Sequence, residues 1–301
     1  MKLATRYCGL QLKNHLIASA SPLTAELASA QKLEAAGIAA VVLPSLFEEA
    51  VRADAANLQH YVDRIKRYKD ALSIPVIGSL NGVTEGGWLE QAARLEQAGC
   101  DALELNIYYI AANVNESSDH IERRYIDLVY KLRAHIGIPV SVKLTYQFSS
   151  IAHLIKRLED TGIDGAVLFN RFYLPDIDLD TLSISPTLQM STSSEALMRI
   201  RWIAILRDQV KLSLAATGGF HSVDDVLKAL LVGADAVQLC SVLFQHGPDE
   251  VQRLLGALES WMDSKGYASL RTLQGKLSYG NLKDPSGYER SNYLAVLEKN
   301  S

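Results

Sequence analysis

The sequence predicts a (β/α)8 barrel with a parallel eight-stranded core, and three observations carry that prediction. A glycine-centred pattern recurs four times, short apolar runs fall between its copies, and amphipathic helical stretches separate all of them. The four copies are Ala36-Gly37-Ile38-Ala39-Ala40-Val41-Val42-Leu43, Ala98-Gly99-Cys100-Asp101-Ala102-Leu103-Glu104-Leu105, Thr161-Gly162-Ile163-Asp164-Gly165-Ala166-Val167-Leu168 and Val232-Gly233-Ala234-Asp235-Ala236-Val237-Gln238-Leu239. In each, the glycine ends an amphipathic stretch and precedes an apolar run. A helix that closes on a left-handed glycine and feeds straight into a buried strand reads this way. The glycines lie 62, 63 and 71 residues apart, about twice the roughly 30 residues of one strand-plus-helix unit. A second set of strands must therefore lie between them.

Taken in order, Leu16–Ala20 is the first strand and the run through Leu43 the second. Ile74–Leu80 is the third, the run through Leu105 the fourth, and Ile138–Leu144 the fifth. The run through Leu168 is the sixth, Val210–Thr217 the seventh, and the run through Leu239 the eighth. Pro75 and Pro139 stand at strand starts, where no ladder donor is lost. Helical patterns occupy 23–36, 57–72, 86–98, 118–135, 149–161, 194–209, 222–232 and 248–264. The strands are near-continuously apolar, as in a parallel sheet covered by helices. An open doubly wound sheet also alternates strands and helices, but eight regular units with a two-unit repeat favour closure. The expected organisation is one domain: an N-terminal hairpin over 1–13, the barrel over 14–265 and a C-terminal tail over 275–301. The tail carries a turn at Asp284-Pro285-Ser286-Gly287 and a short helix through Leu297.

Composition narrows the function. With 301 residues, 48% apolar and 21% charged, the chain suits a soluble protein with a large core. A net charge of −4 argues against nucleic acid as a partner. No apolar run reaches the roughly 18 residues of a membrane span, and the N-terminal residues show no secretory signal, so a cytoplasmic protein is expected. Cys8, Cys100 and Cys240 suit neither a disulfide framework nor a metal site. The expected partners are a small-molecule substrate and a second copy of the chain in a homodimer.

Barrel chemistry sits where strands end. The exits are Ser19, Ala20 and Ser21; Pro44 and Ser45; Asn81; Asn106; Lys143; Asn170 and Arg171; Thr217-Gly218-Gly219; and Cys240-Ser241. The seventh exit runs on through Phe220-His221 to a helix opened by Ser222, a good N-cap. Its two glycines allow backbone N–H groups to approach an anion, and the helix dipole adds positive potential. With the hydroxyl at Ser241, this is the phosphate site that many such barrels share. The bland alternative is a pair of glycines serving only a tight turn. Lys143 is an ammonium near the end of a buried strand, costly unless it meets an anion or polar ligand. Either it tunes the electron-rich edge of a bound flavin, or it forms an ion pair inside the barrel with a carboxylate such as Glu104.

These residues, in this order, resemble the dihydroorotate dehydrogenase family through about residues 3–270. The carriers are Ser19 and Ala20, the Glu104-Leu105-Asn106 end of the fourth strand, Val142-Lys143-Leu144, Asn170, Thr217-Gly218-Gly219 and Gly233 through Ser241. The resemblance implies FMN as cofactor, contacted by Ser19, Ala20, Ser45, Asn106 and Lys143. Its phosphate would be cradled by Thr217, Gly218, Gly219, Cys240 and Ser241. Asn106 and Asn170 match asparagines that hold the pyrimidine ring, and Arg171 is a candidate for a substrate carboxylate.

The departures are specific. After the fourth strand the family reads Asn-Leu-Ser-Cys-Pro-Asn, or Ser for Cys, and its fourth residue is the base. Here the loop is Asn106-Ile107-Tyr108-Tyr109-Ile110-Ala111-Ala112-Asn113, so Tyr109 takes the base position. Tyrosine, at about 10 against about 8.5 for cysteine, is the weaker base near neutrality. Pro44 replaces a lysine, and 51–73 reads as one basic amphipathic helix where an asparagine-bearing substrate loop is expected. Met190-Ser191-Thr192-Ser193 replaces a glycine pair. The chain thus resembles a dihydroorotate dehydrogenase-like branch that lacks the usual base, with dihydroorotate itself expected to be a poor substrate.

Other features weigh less. Tyr108, Tyr109, Phe169, Phe172 and Tyr173 are candidates for an aromatic wall. Arg171 has Asp176 and Asp178 as ordinary partners. His15, His60 and His120 read as surface residues, and Arg64, Lys66, Arg67 and Lys69 as a solvated helix face. Two classes of function result. The first is an FMN oxidoreductase with Tyr109 as acid/base and Lys143 as flavin-tuning cation. The second is a flavin-free phosphate-binding lyase or aldolase using Lys143 as a Schiff-base nucleophile, or a silent relative that kept the scaffold.

Overall fold

The computed structural model describes residues 2–82 and 88–299. In chain order the strands and helices are β1 Thr5–Tyr7, β2 Leu10–Leu12, β3 Leu16–Ala18, α1 Leu27–Ala35, β4 Ala40–Val42, β5 Leu46–Phe47, α2 Glu48–Ala53, α3 Ala56–Ala71, β6 Val76–Asn81 and α4 Trp88–Gln97. Then come β7 Ala102–Asn106, α5 Ser118–Arg133, β8 Val140–Leu144, α6 Ile151–Asp160, β9 Gly165–Leu168, β10 Pro175–Asp178, β11 Ser183–Pro186 and α7 Ala196–Leu206. The chain ends with β12 Ser213–Thr217, α8 Val223–Leu231, β13 Ala236–Leu239, α9 Ser241–His246, α10 Asp249–Ser264 and α11 Ser291–Lys299. The helix expected over 86–98 is α4; its first two positions lie outside the described residues.

Strands β3, β4, β6, β7, β8, β9, β12 and β13 pair in parallel in that order, and the β13–β3 and β4–β6 pairings close the ring. β5 extends the second barrel strand along the end of β6. The fold is the (β/α)8 barrel. All four repeat glycines have positive φ, from +88° at Gly162 to +111° at Gly233, so each is the left-handed helix stop that the repeat requires. Among the described residues no helix is long and apolar enough to cross a membrane.

Side-chain alternation sorts the core into two layers. Ala40, Val42, Ala102, Val167, Ala215 and Ala236 face the barrel interior. Their neighbours Val41, Leu103, Ala166, Leu168, Leu214 and Val237 face the helices. The helices answer with matching stripes, such as Ile151, Leu154, Ile155 and Leu158 on α6. Because the lower interior is lined by small residues, it admits a plug. The β1–β2 hairpin inserts Tyr7, Cys8 and Leu12 into it, all buried. Its tip is fixed by Cys8 N–H donating to Ser213 Oγ at 2.9 Å. Gly165 makes room, since a Cβ there would lie 2.5 Å from Cys8 Sγ.

Several expectations are corrected. Residues 51–73 do not form one helix: α2 ends at Ala53, and Asp54 turns out to an extended φ of −152°. Its carboxylate accepts the Ala56 N–H at 2.9 Å and restarts the chain as α3. α3 buries Leu58, Tyr61, Val62, Ile65 and Tyr68, and Lys66 and Arg67 are exposed. Lys69 of the supposedly solvated face is instead paired with Asp101 at 2.7 Å. The seventh strand begins at Ser213, not Val210, because Glu159 takes the Lys211 and Leu212 N–H groups that a ladder would use. His15 is buried, not on the surface, since the N-terminal hairpin folds over it. Burial lowers its imidazole to about 4, with a backbone contact at Leu3 opposing. His60 and His120 are exposed.

The β10–β11 hairpin after the sixth barrel strand was not anticipated. Its register sets Ile177 opposite Ile184 and Pro175 opposite Pro186 on one face, with Asp176, Asp178, Ser183 and Ser185 alternating on the other. Ile177 and Ile184 are exposed.

Candidate active site

The strand exits meet at a cavity of about 250 Å³ at the carboxyl end of the barrel. Ser19, Ala20, Lys143, Asn170, Arg171, Thr217, Gly218, Gly219, Cys240 and Ser241 all line it. Ser45, Asn106 and Tyr109 do not. Ser45 and Asn106 lie beside it in a hydrogen-bonded file: Asn170 Nδ2 donates to Asn106 Oδ1 at 2.6 Å, Asn106 Nδ2 to Ser45 Oγ at 3.4 Å, and the Ser45 and Ser79 hydroxyls share a bond of 2.8 Å. The two asparagines expected to clamp a ring are therefore already together, each partly satisfied by the other.

Lys143 sits on the inward face of β8, and the ion pair with Glu104 is the sequence reading of it that the structure shows. Its ammonium donates to Ser19 Oγ at 3.1 Å and to Gln238 Oε1 and Glu104 Oε1 at 3.4 Å. Glu104 is 1% exposed, and Gln238 Nε2 also donates to it. Lys143 thus closes an ion pair with its β7 neighbour while its side chain reaches the cavity. Gln238 is the residue that sequence reasoning missed here. It donates to the carboxylate and accepts from the ammonium, since an amide carries both a donor and an acceptor.

At the rim, Gly218 and Gly219 have φ of +88° and +95°. Their bareness serves the protein as much as any ligand. A Cβ on Gly219 would sit 2.4 Å from Ala196 N, and one on Gly218 3.0 Å from Arg199 Nη2. Arg199 is buried under the turn, where its Nε donates to Thr217 O at 3.1 Å, and burial lowers its guanidinium from the usual value.

The α8 start supplies fewer free donors than expected. Ser222 is its N-cap, and Asp225 Oδ2 accepts the His221 and Ser222 N–H groups at 3.1 and 3.0 Å, together with the Ser222 and Ser193 hydroxyls. The capping box spends those donors on the helix's own carboxylate. What faces the cavity instead is a side-chain cluster. Ser191 Oγ accepts the Gly219 N–H at 3.3 Å and shares a 3.0 Å bond with His221 Nε2, while Ser191 N–H donates to Ser241 Oγ at 3.2 Å. Neither Ser191 nor His221 was singled out from sequence. Cys240 stands nearby with its thiol pushed up by burial, against the pull of Lys143 and of a Ser21 hydrogen bond.

Tyr109 is held outside the cavity. Its hydroxyl donates to Glu116, which also accepts from Arg124, and the Arg124 guanidinium lies 4.6 Å from the phenol ring centroid. Those two hydrogen bonds, Tyr109's first, keep the Glu116 carboxyl below its usual range. Arg171 pairs with Glu195 at 3.0 Å and with Gln189 O, not with Asp176 or Asp178, because β10 carries those acids away on the hairpin. The expected aromatic wall is two separate contacts: Tyr108 meets Phe172 at 4.0 Å between centroids, and Tyr146 meets Phe169 edge-on at 6.3 Å. Among the described residues no His, Cys, Asp and Glu groups gather as a metal site would need.

Comparison with known proteins agrees with this geometry. A family model for dihydroorotate dehydrogenase matches residues 53–262. The chain is similar to a protein of Listeria monocytogenes named dihydroorotate dehydrogenase B (NAD(+)), catalytic subunit, at 28% identity over 72% of this chain and 73% of the relative. Proteins of the same name from Thermoplasma acidophilum and Methanothermobacter thermautotrophicus are 23% and 22% identical, covering 91% of this chain and 98% and 97% of their own lengths.

Proposed function

The chain belongs to the dihydroorotate dehydrogenase family, and from that premise we propose that it is an FMN-dependent oxidoreductase acting on a CH–CH bond of a dihydropyrimidine-like ring. The observation that carries the reading is Lys143: a cation rising from a buried ion pair into a cavity that combines apolar walls with polar donors at its rim. That donor set fits a flavin mononucleotide, which has an electron-rich ring edge, a flat apolar body and an anionic phosphate. When bound, FMN supplies a hydride acceptor that can pass its electrons on.

In this reading the chain's own groups bind, orient and tune. Lys143, steadied by Ser19, Gln238 and Glu104, offers positive charge where reduction builds negative charge. The Asn106–Asn170 pair opens to hold the edge of the substrate ring, with Ser45 behind it. Arg171 exchanges Glu195 for a substrate carboxylate. Tyr109 is the proton-accepting candidate, and Glu116 and Arg124 set the direction of its hydroxyl. The ion pair also weighs against an aldolase, since a Schiff base needs a free neutral amine and this nitrogen is engaged with a carboxylate. The relatives are named as catalytic subunits, and we extend to this chain the expectation of an assembly with a further chain.

The test is spectroscopic. The purified protein should show a flavin spectrum, and anaerobic mixing with dihydroorotate should bleach it slowly. A misplaced base alone costs a factor of about 10² to 10⁴. Protein that takes up no FMN would overturn the proposal. Rapid bleaching abolished in Tyr109→Phe would instead establish dihydroorotate as the substrate and Tyr109 as the base.

A further inference from the structure

We propose that the cofactor's phosphate is held by a side-chain clamp, Ser191 with His221, in place of the helix N-terminus that usually serves a barrel of this kind; the proposal rests on the flavin reading above. The usual device is partly occupied here, and among the α8 residues from its N-cap Ser222 through Asp224 none lines the cavity. The backbone donors of His221 and Ser222 close on Asp225 Oδ2 at 3.1 and 3.0 Å, and the Asp225 N–H closes on Ser222 Oγ at 3.2 Å. A phosphate arriving at that turn finds those donors taken and a carboxylate behind them.

The clamp lies beside it and is built for an anion. Ser191 is 4% exposed, lines the cavity, and is fixed at both ends: its N–H bonds Ser241 Oγ, and its hydroxyl bonds Gly219 N–H and His221 Nε2. A phosphomonoester entering here exchanges the Ser191–His221 bond for two bonds of its own, one from the Ser191 O–H and one from the His221 Nε2–H. Gly219 N–H, released by Ser191, becomes a third donor. All three are held within reach of one another before the ligand arrives, so little ordering remains to oppose binding. No atom or electron is transferred. A Ser–His contact also suggests a nucleophile and its base, but among the described residues His221 Nδ1 has no hydrogen-bonded group to orient it for that task.

The clamp should read the phosphate and ignore the rest of the flavin. Wild type, His221→Ala, Ser191→Ala and His221→Gln are titrated with FMN and with riboflavin, which lacks the phosphate, following flavin fluorescence. Far-UV circular dichroism checks that each variant is folded. Wild type should prefer FMN. His221→Ala and Ser191→Ala should each weaken FMN by roughly 10- to 100-fold, the loss expected for a hydrogen bond to a charged group, and leave riboflavin unchanged. His221→Gln keeps a donor and should recover part of the loss. Equal weakening of both flavins, or unchanged FMN affinity in both alanine variants, overturns the clamp. A wild type that binds riboflavin as tightly as FMN overturns the clamp and leaves the flavin reading standing. A wild type that binds neither overturns the flavin reading, and the clamp falls with it.

Discussion

Replacing Lys143 by methionine should destabilise the barrel far more than an ordinary substitution at a strand end. The side chains of Lys143 and Glu104 are 8% and 1% exposed, and they approach to 3.4 Å. At an effective dielectric near 20, two unit charges at that distance attract by about 5 kcal/mol. Removing one partner of a buried pair generally costs about 3–5 kcal/mol, because the other charge stays buried. Here the stranded group would be Glu104, left with Gln238 Nε2 as a donor. Glu104→Gln should cost less, since Lys143 keeps Ser19 and Gln238 as acceptors and borders the cavity. The double variant Lys143→Met with Glu104→Gln should recover most of the loss. Thermal unfolding followed by far-UV circular dichroism, with flavin removed, gives the comparison. The single Lys143 variant should unfold roughly 5–8 °C below wild type. A Lys143→Met protein as stable as wild type, or a double variant whose loss equals the sum of the singles, would refute the view that these charges hold each other in the core.

Three further outcomes are expected. In flavin-loaded protein Lys143→Met should lower the midpoint potential, because the reduced, anionic ring loses its counter-charge; an unchanged redox titration would place the ammonium elsewhere. Gly219→Ala should cost about 2–5 kcal/mol, combining left-handed strain with overpacking against Ala196 N, whereas Gly9→Ala, at φ +78° with nothing within 4 Å, should cost only about 1–2 kcal/mol; equal denaturation midpoints would contradict this. His15 has its imidazole lowered to about 4 from 6.5, so the unfolded chain binds more protons between those values and stability rises with pH across that window. Acidification from 6.5 to 4 should therefore cost about 3 kcal/mol through His15 alone, and His15→Leu should lose that component of the urea midpoint's pH dependence.

What was legible in the sequence was periodic or rare. The glycine stops and apolar runs are local signals with fixed spacing, so the eight strands could be placed before any contact was known. Lys143 stood out because a cation is unusual in an apolar strand. Its partner Gln238 did not, since a single amide in Gly233 through Ser241 gives no hint that it will bridge two charges across the barrel. The Ser191–His221 contact joins residues 30 positions apart on different loops, and nothing in either segment announces it. His15 looked like a surface residue because the sequence cannot show a short hairpin folding over it. Ser222 is legible as the α8 N-cap, but the capping box it forms with Asp225 is not. The same Asp225 that makes a good first turn also takes two of the donors that an anion could use.

The plugged lower end of the barrel leaves the cavity at the carboxyl end as its mouth among the described residues. Among the described residues Tyr7, Cys8 and Leu12 are buried in the floor, and Lys143 lines the cavity at the other end, so the cavity mouth is a route by which the Lys143–Glu104 pair meets water. A ligand that fills the mouth then acts as a stopper. Isotope exchange at these buried groups should then slow while a ligand occupies the cavity, and its rate would report how long the ligand stays.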